Sequence, residues 1–83
     1  MHKVDVIPSA QKDLDNLEKK FFDQIKNKIN SLQSNPRPPN CLKLTVEEGY
    51  LIKSGDYRVL YRIDDKNKVV YIYRIKHRKE SYR

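Results

Sequence analysis

The chain has 83 residues, of which 35% are charged, and its formal net charge is +7. This length predicts one small domain, residues 1–83, with a modest core. The positive excess favours a polyanionic partner: nucleic acid first, an acidic protein second, an anionic membrane surface third. A lone cysteine, Cys41, excludes an internal disulfide and fits a reducing cytoplasm. With no signal peptide and no long apolar run, we expect no membrane span.

The first half of the chain predicts one short strand followed by a helical hairpin. Val4 and Val6 alternate with polar residues in HKVDVI, which is typical of a strand. Ser9 then lies where a side chain can cap the first turn of a helix. One rod over residues 9–34 would be about 40 Å long, too long for this domain, so we expect a break near EKKFF (18–22). Apolar residues recur at steps of four and three along one helical stripe: Ala10, Leu14, Leu17, Phe21, Ile25, Ile29 and Leu32.

The second half predicts three strands. The prolines of SNPRPPN (34–40) end the second helix. Segments 49–53, 57–64 and 68–76 are rich in β-branched and aromatic residues, and the turn sequences SGD (54–56) and DKN (65–67) separate them. Short links between successive strands favour an antiparallel meander. The predicted fold class is therefore α+β in the order β-α-α-β-β-β, with the helical hairpin packed on one face of a small, mainly antiparallel sheet.

Strand alternation separates an apolar face from a basic one. The predicted helix-facing residues are Tyr57, Val59, Tyr61 and Ile63 in the middle strand and Val69, Tyr71, Tyr73 and Ile75 in the last. The opposite face then carries what we call the basic ladder: Arg58, Arg62, Arg74, Lys76 and, if the strand stays regular, Arg78. A basic sheet face is more often a binding surface than a catalyst, so both interpretations stay open here.

Several common sites are absent from the sequence. It contains no glycine-rich phosphate loop, no paired-cysteine motif and no two-histidine metal motif, so we expect no metal and no cofactor. The Arg, Lys, Tyr and His side chains that remain suit phosphodiester transfer in RNA. Arginine binds phosphate through a charge-assisted fork. A lysine crowded by arginines has a lowered pKa and can act as a base, whereas a tyrosine or His77 can give or relay a proton.

The segments GDYRVLY (55–61) and HRKESY (77–82) together resemble the RelE/ParE toxin superfamily, and within it the RelE branch. The likeness extends to SAQKDLDNL (9–17), NP (35–36), KL (43–44) and GY (49–50), and so covers nearly the whole chain. This resemblance implies a toxin of a prokaryotic type II toxin–antitoxin system that acts in the cytoplasm. It further implies a ribosome-dependent mRNA endonuclease that cleaves A-site codons by metal-free transesterification through the 2′-OH.

The resemblance also implies roles for individual residues. Lys53 is expected to activate the 2′-OH, Arg58 to brace the scissile phosphate, and Arg78 to stabilise the transition state. Tyr82 matches a C-terminal tyrosine that stacks on or orients a base and assists proton transfer, and His77 is given a supporting role. Position 51 holds Leu where relatives often carry a second basic residue, which leaves the identity of the general base open. The residues expected to bind RNA are Lys43, Arg62, Arg74 and Lys76.

The implied partners are a cognate antitoxin, the ribosomal A site and mRNA. An acidic, disordered antitoxin segment would complement the basic surface, and a hetero-oligomer could bind operator DNA through the antitoxin. Two other functions remain open. One is a ParE-like inhibitor of DNA gyrase, against which Tyr82 and, more weakly, Lys53 argue. The other is a module of the same fold that binds RNA or a protein partner without catalysis.

Overall fold

The fold is a five-stranded sheet with two helices. A computed structural model, which describes residues 1–79, has the sheet order β1-β5-β4-β3-β2. Strand β1 pairs parallel with β5, and the remaining neighbours are antiparallel. The predicted α+β class and the mainly antiparallel sheet are confirmed, with one added two-residue strand. The elements are β1 (Lys3–Val6), α1 (Pro8–Asp15), α2 (Lys19–Ser31), β2 (Leu42–Lys43), β3 (Tyr50–Ser54), β4 (Tyr57–Asp64) and β5 (Val69–His77).

The two helices form the predicted hairpin. The break falls at residues 16–18, between the end of α1 and the start of α2, and so at the near edge of the segment predicted to hold it. Pro8 begins α1, where a residue without an N–H costs nothing. The prediction that Ser9 caps this helix is wrong. Ser9 lies inside the first turn, and its Oγ instead donates to the carbonyl oxygen of Tyr73 in β5 at 2.8 Å.

The apolar stripe of the helices forms one side of the core. Its central members have no more than 1% of their surface exposed, and burying a side chain of this kind stabilises the fold by about 1.5–3 kcal/mol. Leu17 of the stripe and Phe22, the neighbour of its member Phe21, are partly buried against this cluster. The helical members of the core are Ala10, Leu14, Ile25, Ile29 and Leu32, and the strand members are Ile52, Val59, Tyr61, Val70, Ile72 and Ile75.

The alternation predicted for β4 is confirmed. Val59 and Tyr61 are fully buried in the core, whereas Tyr57 and Ile63 are half-buried at its two ends. Arg58 and Arg62 therefore point to the face away from the helices. Between them Leu60 shares that face, yet only 8% of its surface is exposed.

The alternation predicted for β5 is wrong over its first half. Val70 and Ile72, not their neighbours, are fully buried in the core. The pairing of β4 with β5 shifts between Leu60 and Tyr61, and this bulge leaves Tyr73 without an opposite residue. One extra residue moves every side chain on one side of it to the other face. Val69, Tyr71 and Tyr73 consequently join the ladder face, whereas Arg74, Ile75 and Lys76, beyond the bulge, keep their predicted orientations.

Candidate active site and nucleic-acid interface

Three cations lie in one row across the sheet. Arg58 in β4 is directly opposite Lys53 in β3 on one side and Lys76 in β5 on the other. Residues that are directly opposite in antiparallel strands have Cα atoms about 4.5–5.5 Å apart and share a face. The side chain of Lys53 is exposed, and those of Arg58 and Lys76 are half-buried. This row concentrates positive charge at the end of the sheet where β3 turns into β4.

Arg78 joins the same end of the sheet. Its backbone N–H donates to the carbonyl oxygen of Asp56 at 2.7 Å, which extends the pairing of β4 and β5 past the last strand residue. Its Nε is 3.9 Å from Oδ1 of Asp56, and 60% of the side chain is exposed. The structure therefore brings three predicted catalytic residues, Lys53, Arg58 and Arg78, to one end of one sheet. The fourth, Tyr82, lies outside the described residues.

His77 lies on the other side of the sheet from this row. It is opposite Tyr57 in β4, which belongs to the helix-packed face. The two rings meet edge to face with centroids 5.2 Å apart, and Phe21 of α2 contacts the same tyrosine at 5.5 Å. The Nδ1 atom of His77 accepts a hydrogen bond from the backbone of Lys79 at 3.2 Å. His77 therefore lies on the opposite face of the sheet from Lys53, Arg58 and Lys76.

The four residues predicted to bind RNA are divided between two faces. Lys76 and Arg62 lie on the ladder face, and Arg62 is exposed. Arg74 shares this face but forms an ion pair with Asp13 of α1, with Nε 2.9 Å from Oδ2. Lys43 lies apart from these three, because it is opposite Tyr50, a residue of the helix-packed side. Its strand, β2, is too short for sequence alternation to have revealed its orientation.

Two tyrosines and a glycine of the ladder face were not predicted as site residues. Tyr71 lies opposite Arg62, and the guanidinium carbon of Arg62 is 5.2 Å from the ring centroid of Tyr73. Gly49 has a φ of +131°, and a Cβ there would lie 3.3 Å from the hydroxyl of Tyr73. That hydroxyl is buried and has no hydrogen-bond partner among residues 1–79. Burial, together with the nearby carboxylate of Glu47, raises the pKa of Tyr73, while Arg62 opposes the rise.

A second polar cluster holds the proline-rich loop against the sheet. Arg37 binds both carboxylate oxygens of Asp65, at 3.1 and 2.8 Å, and its Nε donates to the hydroxyl of Tyr50 at 3.0 Å. Tyr61 donates its hydroxyl to the carbonyl oxygen of Pro36 at 2.8 Å. The hydrogen bond from Arg37 lowers the pKa of Asp65, and burial raises that of Tyr61. These contacts position the loop, and none of them reaches the cationic row.

Within residues 1–79, no three His, Cys, Asp or Glu side chains are grouped so that they could hold a metal ion. Neither helix described here has the length and apolarity needed to cross a bilayer.

The fold is that of a small toxin of the RelE/ParE superfamily. A family model described as the ParE toxin of type II toxin–antitoxin systems, parDE, matches residues 4–82. Since this match extends over nearly the whole sequence, the chain belongs to that family. Among curated proteins, no significant match is found.

Several solved toxin structures share the fold. The toxin–antitoxin complex RelBE2 from Mycobacterium tuberculosis matches with a TM-score of 0.82 and 29% identity, covering 92% of this chain and 96% of the other. The archaeal RelE–RelB complex from Pyrococcus horikoshii OT3 gives 0.79 and 28%, with coverages of 93% and 94%. The isolated RelE toxin of E. coli gives 0.77 and 24%, with coverages of 99% and 96%, which shows the likeness of fold alone.

Proposed function

We propose that the protein is a ribosome-dependent mRNA endonuclease that cleaves codons in the ribosomal A site by transesterification. The observation that carries the proposal is the row of Lys53, Arg58 and Lys76, with Arg78 at the same end of the sheet. A row of fixed cations suits a reaction in which a phosphodiester gains negative charge in its transition state. The match to RelE-type structures at 28–29% identity adds support.

The proposed reaction distributes its steps over these side chains. The 2′-oxygen of the ribose attacks the neighbouring phosphorus, and Lys53 takes the 2′-OH proton as general base. Arg58, half-buried in the middle of the row, holds the scissile phosphate through its forked N–H groups. Arg78 stabilises the added negative charge. The bond from phosphorus to the 5′-oxygen then breaks, leaving a 2′,3′-cyclic phosphate and a 5′-oxygen that must be protonated.

Tyr82 is proposed to orient the base beside the scissile bond and to assist the transfer of that proton. In the sequence, Tyr82 follows Arg78 by a short segment. The position of His77 does not favour a supporting role in the reaction, because its ring packs against Tyr57 on the helix-packed side.

A cognate antitoxin is the proposed protein partner. The Mycobacterium tuberculosis and Pyrococcus horikoshii structures are complexes of a toxin with its antitoxin. For this chain, an acidic antitoxin segment would complement a net charge of +7 and cover the cationic row. A complex of the two proteins that binds operator DNA through the antitoxin belongs to the same proposal.

Primer extension on actively translated mRNA tests the proposed activity. Induction of the toxin should produce new 5′ ends within codons, and these ends should be missing from an untranslated copy of the same transcript. The upstream fragments should carry a 2′,3′-cyclic phosphate. If the wild-type protein produces no ends on translated mRNA, the proposal is wrong.

Inhibition of DNA gyrase is the competing function, and the ParE description of the matched family favours it. It requires no phosphodiester chemistry, because the toxin would act by binding the enzyme. Supercoiling by purified gyrase in the presence of the protein separates the two functions. Loss of supercoiling without mRNA cleavage would support gyrase inhibition, whereas salt-sensitive RNA binding without either effect would indicate a non-catalytic module.

A further inference from the structure

A cavity of about 630 Å³ lies on the ladder face, away from the row of Lys53, Arg58 and Lys76. Its volume falls within the range of small-molecule sites, about 300–1,000 Å³. Two tyrosine rings and an isoleucine give it an apolar wall, and two arginines border it. The lining residues are Ile7, Ser9, Arg62, Tyr71, Tyr73 and Arg74.

The bulge in β5 creates the aromatic wall. Tyr71 and Tyr73 share a face as residues i and i+2 of the strand, and because Tyr73 has no opposite residue on β4, that face is shifted from the core side to the side that carries Arg74 and Lys76. The wall is held in place at several points. Ser9 donates to the backbone oxygen of Tyr73 at 2.8 Å, and the missing side chain of Gly49 leaves room for its hydroxyl. Tyr71 remains half-exposed, so one ring is available to a ligand.

The charges around the cavity differ from those of the catalytic row. The ion pair with Asp13 neutralises the charge of Arg74. Of the two arginines that line the cavity, Arg62 is therefore the more accessible to a ligand. Carboxylates lie close by: Asp5 of β1 is opposite Tyr71, and Glu48 borders an adjoining cavity together with Arg62. A phosphate would favour the uniformly positive row. An aromatic base with amino donors would favour tyrosine rings edged by carboxylates and one guanidinium.

We propose that this cavity is a subsite for one of the two nucleobases that flank the scissile phosphate, the one not assigned to Tyr82, with the base stacked on Tyr71 and contacted by Arg62. The inference rests on the proposed function, since it assigns a second part of the same substrate. Arg58 and Arg62 lie on one strand and one face, about 13 Å apart at roughly 3.4 Å per residue. One strand of RNA can therefore place a phosphate on the row and a neighbouring base in the cavity.

The test compares an intact base with a missing one. Ribosomes are programmed with mRNA that carries a 2′-deoxy nucleotide at the scissile position, which blocks cleavage, and an abasic site at each flanking position in turn. The wild-type toxin should lose affinity about 5- to 150-fold for one abasic position, the range that one stacked base contributes. Tyr71→Leu should lose affinity for the intact mRNA to a similar extent and should no longer distinguish the two mRNAs.

Tyr71→Phe is the matched control, because it keeps the ring and should retain discrimination. Circular dichroism and thermal melting of each variant check that the fold is unchanged. If the wild-type protein binds intact and abasic mRNAs equally, or if Tyr71→Leu still distinguishes them, the subsite is wrong. Cleavage of ordinary mRNA is scored separately. A wild-type toxin that cleaves without base discrimination overturns this inference alone, whereas one that never cleaves overturns the proposed function.

A protein partner could compete for the same cavity. Binding of the cognate antitoxin to Tyr71→Leu and Arg62→Gln should stay close to wild type if the cavity serves RNA. If both variants lose antitoxin affinity and keep wild-type binding to programmed ribosomes, the cavity takes an apolar side chain of the antitoxin, and the nucleobase subsite is rejected.

Discussion

Asp13 of α1 holds Arg74 of β5 through an ion pair of 2.9 Å, and the same carboxylate oxygen accepts a hydrogen bond of 2.9 Å from the backbone of Ile75. Strand β1 pairs with β5 only as far as Ile72. Beyond that point β1 no longer faces β5. There Ser9 of α1 donates a hydrogen bond to the carbonyl oxygen of Tyr73, and Asp13 accepts one from the N–H of Ile75. Side chains of the first helix thus make the hydrogen bonds that a neighbouring strand would make to this part of β5.

Replacing Asp13 with alanine should lower the free energy of unfolding by about 1.5–3 kcal/mol, the contribution of hydrogen bonds to a charged group. The change leaves the N–H of Ile75 without its acceptor and Arg74 without its ion pair. Urea denaturation measures the difference. Asp15→Ala is the control, because that carboxylate is exposed and accepts a hydrogen bond from the exposed side chain of Gln11 at 2.9 Å. Equal stability of the two variants would contradict this account of the edge.

Gly49 and Gly55 should differ in their tolerance of alanine. Both have positive φ, +131° and +60°, but a Cβ at Gly49 would lie 2.8 Å from the backbone oxygen of Tyr61, whereas nothing lies within 4 Å at Gly55. Gly55→Ala should cost about 1–2 kcal/mol through its backbone alone. Gly49→Ala should cost more, because the sheet must also shift. Thermal unfolding ranks the two, and the reverse order would be inconsistent with the packing of Tyr73 against Gly49.

Stability should fall in acid because of two surface carboxylates. Arg37 lowers the pKa of Asp65, and Asn67 lowers that of Asp64. A carboxyl whose pKa is lower in the folded state binds fewer protons there, so its stabilisation is complete above the unfolded pKa of about 3.9 and is lost as the pH falls through the folded value. Unfolding measured between about pH 2 and 6 should show this decline. Asp65→Asn and Arg37→Gln should each make the loss of stability with falling pH less steep. An unchanged pH dependence in both variants would contradict the role given to the Arg37–Asp65 ion pair.

Arg58→Ala and Arg78→Ala should each reduce mRNA cleavage by about 10²–10³-fold while the protein stays folded, because one transition-state contact contributes that much. Single-turnover cleavage of mRNA on programmed ribosomes measures the loss. Lys12→Ala is the control, an exposed cation on α1 that should cleave like the wild type. If either arginine variant retains full activity, that arginine has no role in the reaction.

Lys76 and Lys43 should differ in the salt dependence of RNA binding. Lys76 lies in the cationic row, whereas Lys43 lies on the opposite face of the sheet. Removing one phosphate contact to single-stranded RNA should reduce the slope of log K against log salt by about 0.7. Lys76→Ala should show that reduction, and Lys43→Ala should keep the wild-type slope. A reduced slope for Lys43→Ala would mean that RNA also binds the helix-packed side.

The sequence predicted those features that local patterns encode. The four-and-three spacing from Ala10 to Leu32 predicted both helices, and the alternation in β4 placed Arg58 and Arg62 correctly. The bulge at Tyr73 could not be predicted, because a run of alternating Val, Tyr and Ile is compatible with either register. The orientation of Lys43 could not be predicted for a different reason: β2 has two residues, which are too few to show the alternation of a strand.

The edge strand β1 and its neighbour β5 come from opposite ends of the described residues. Lys3 pairs with Val69, and Val6 with Ile72, so β5 gains one of its two strand partners from β1, which precedes both helices in the chain. Pairings this distant in sequence slow folding, since the loop between them must close before the contact forms. The protein therefore cannot complete its sheet during synthesis until β5 has left the ribosomal tunnel, and we expect the cationic row to assemble only in that last stage.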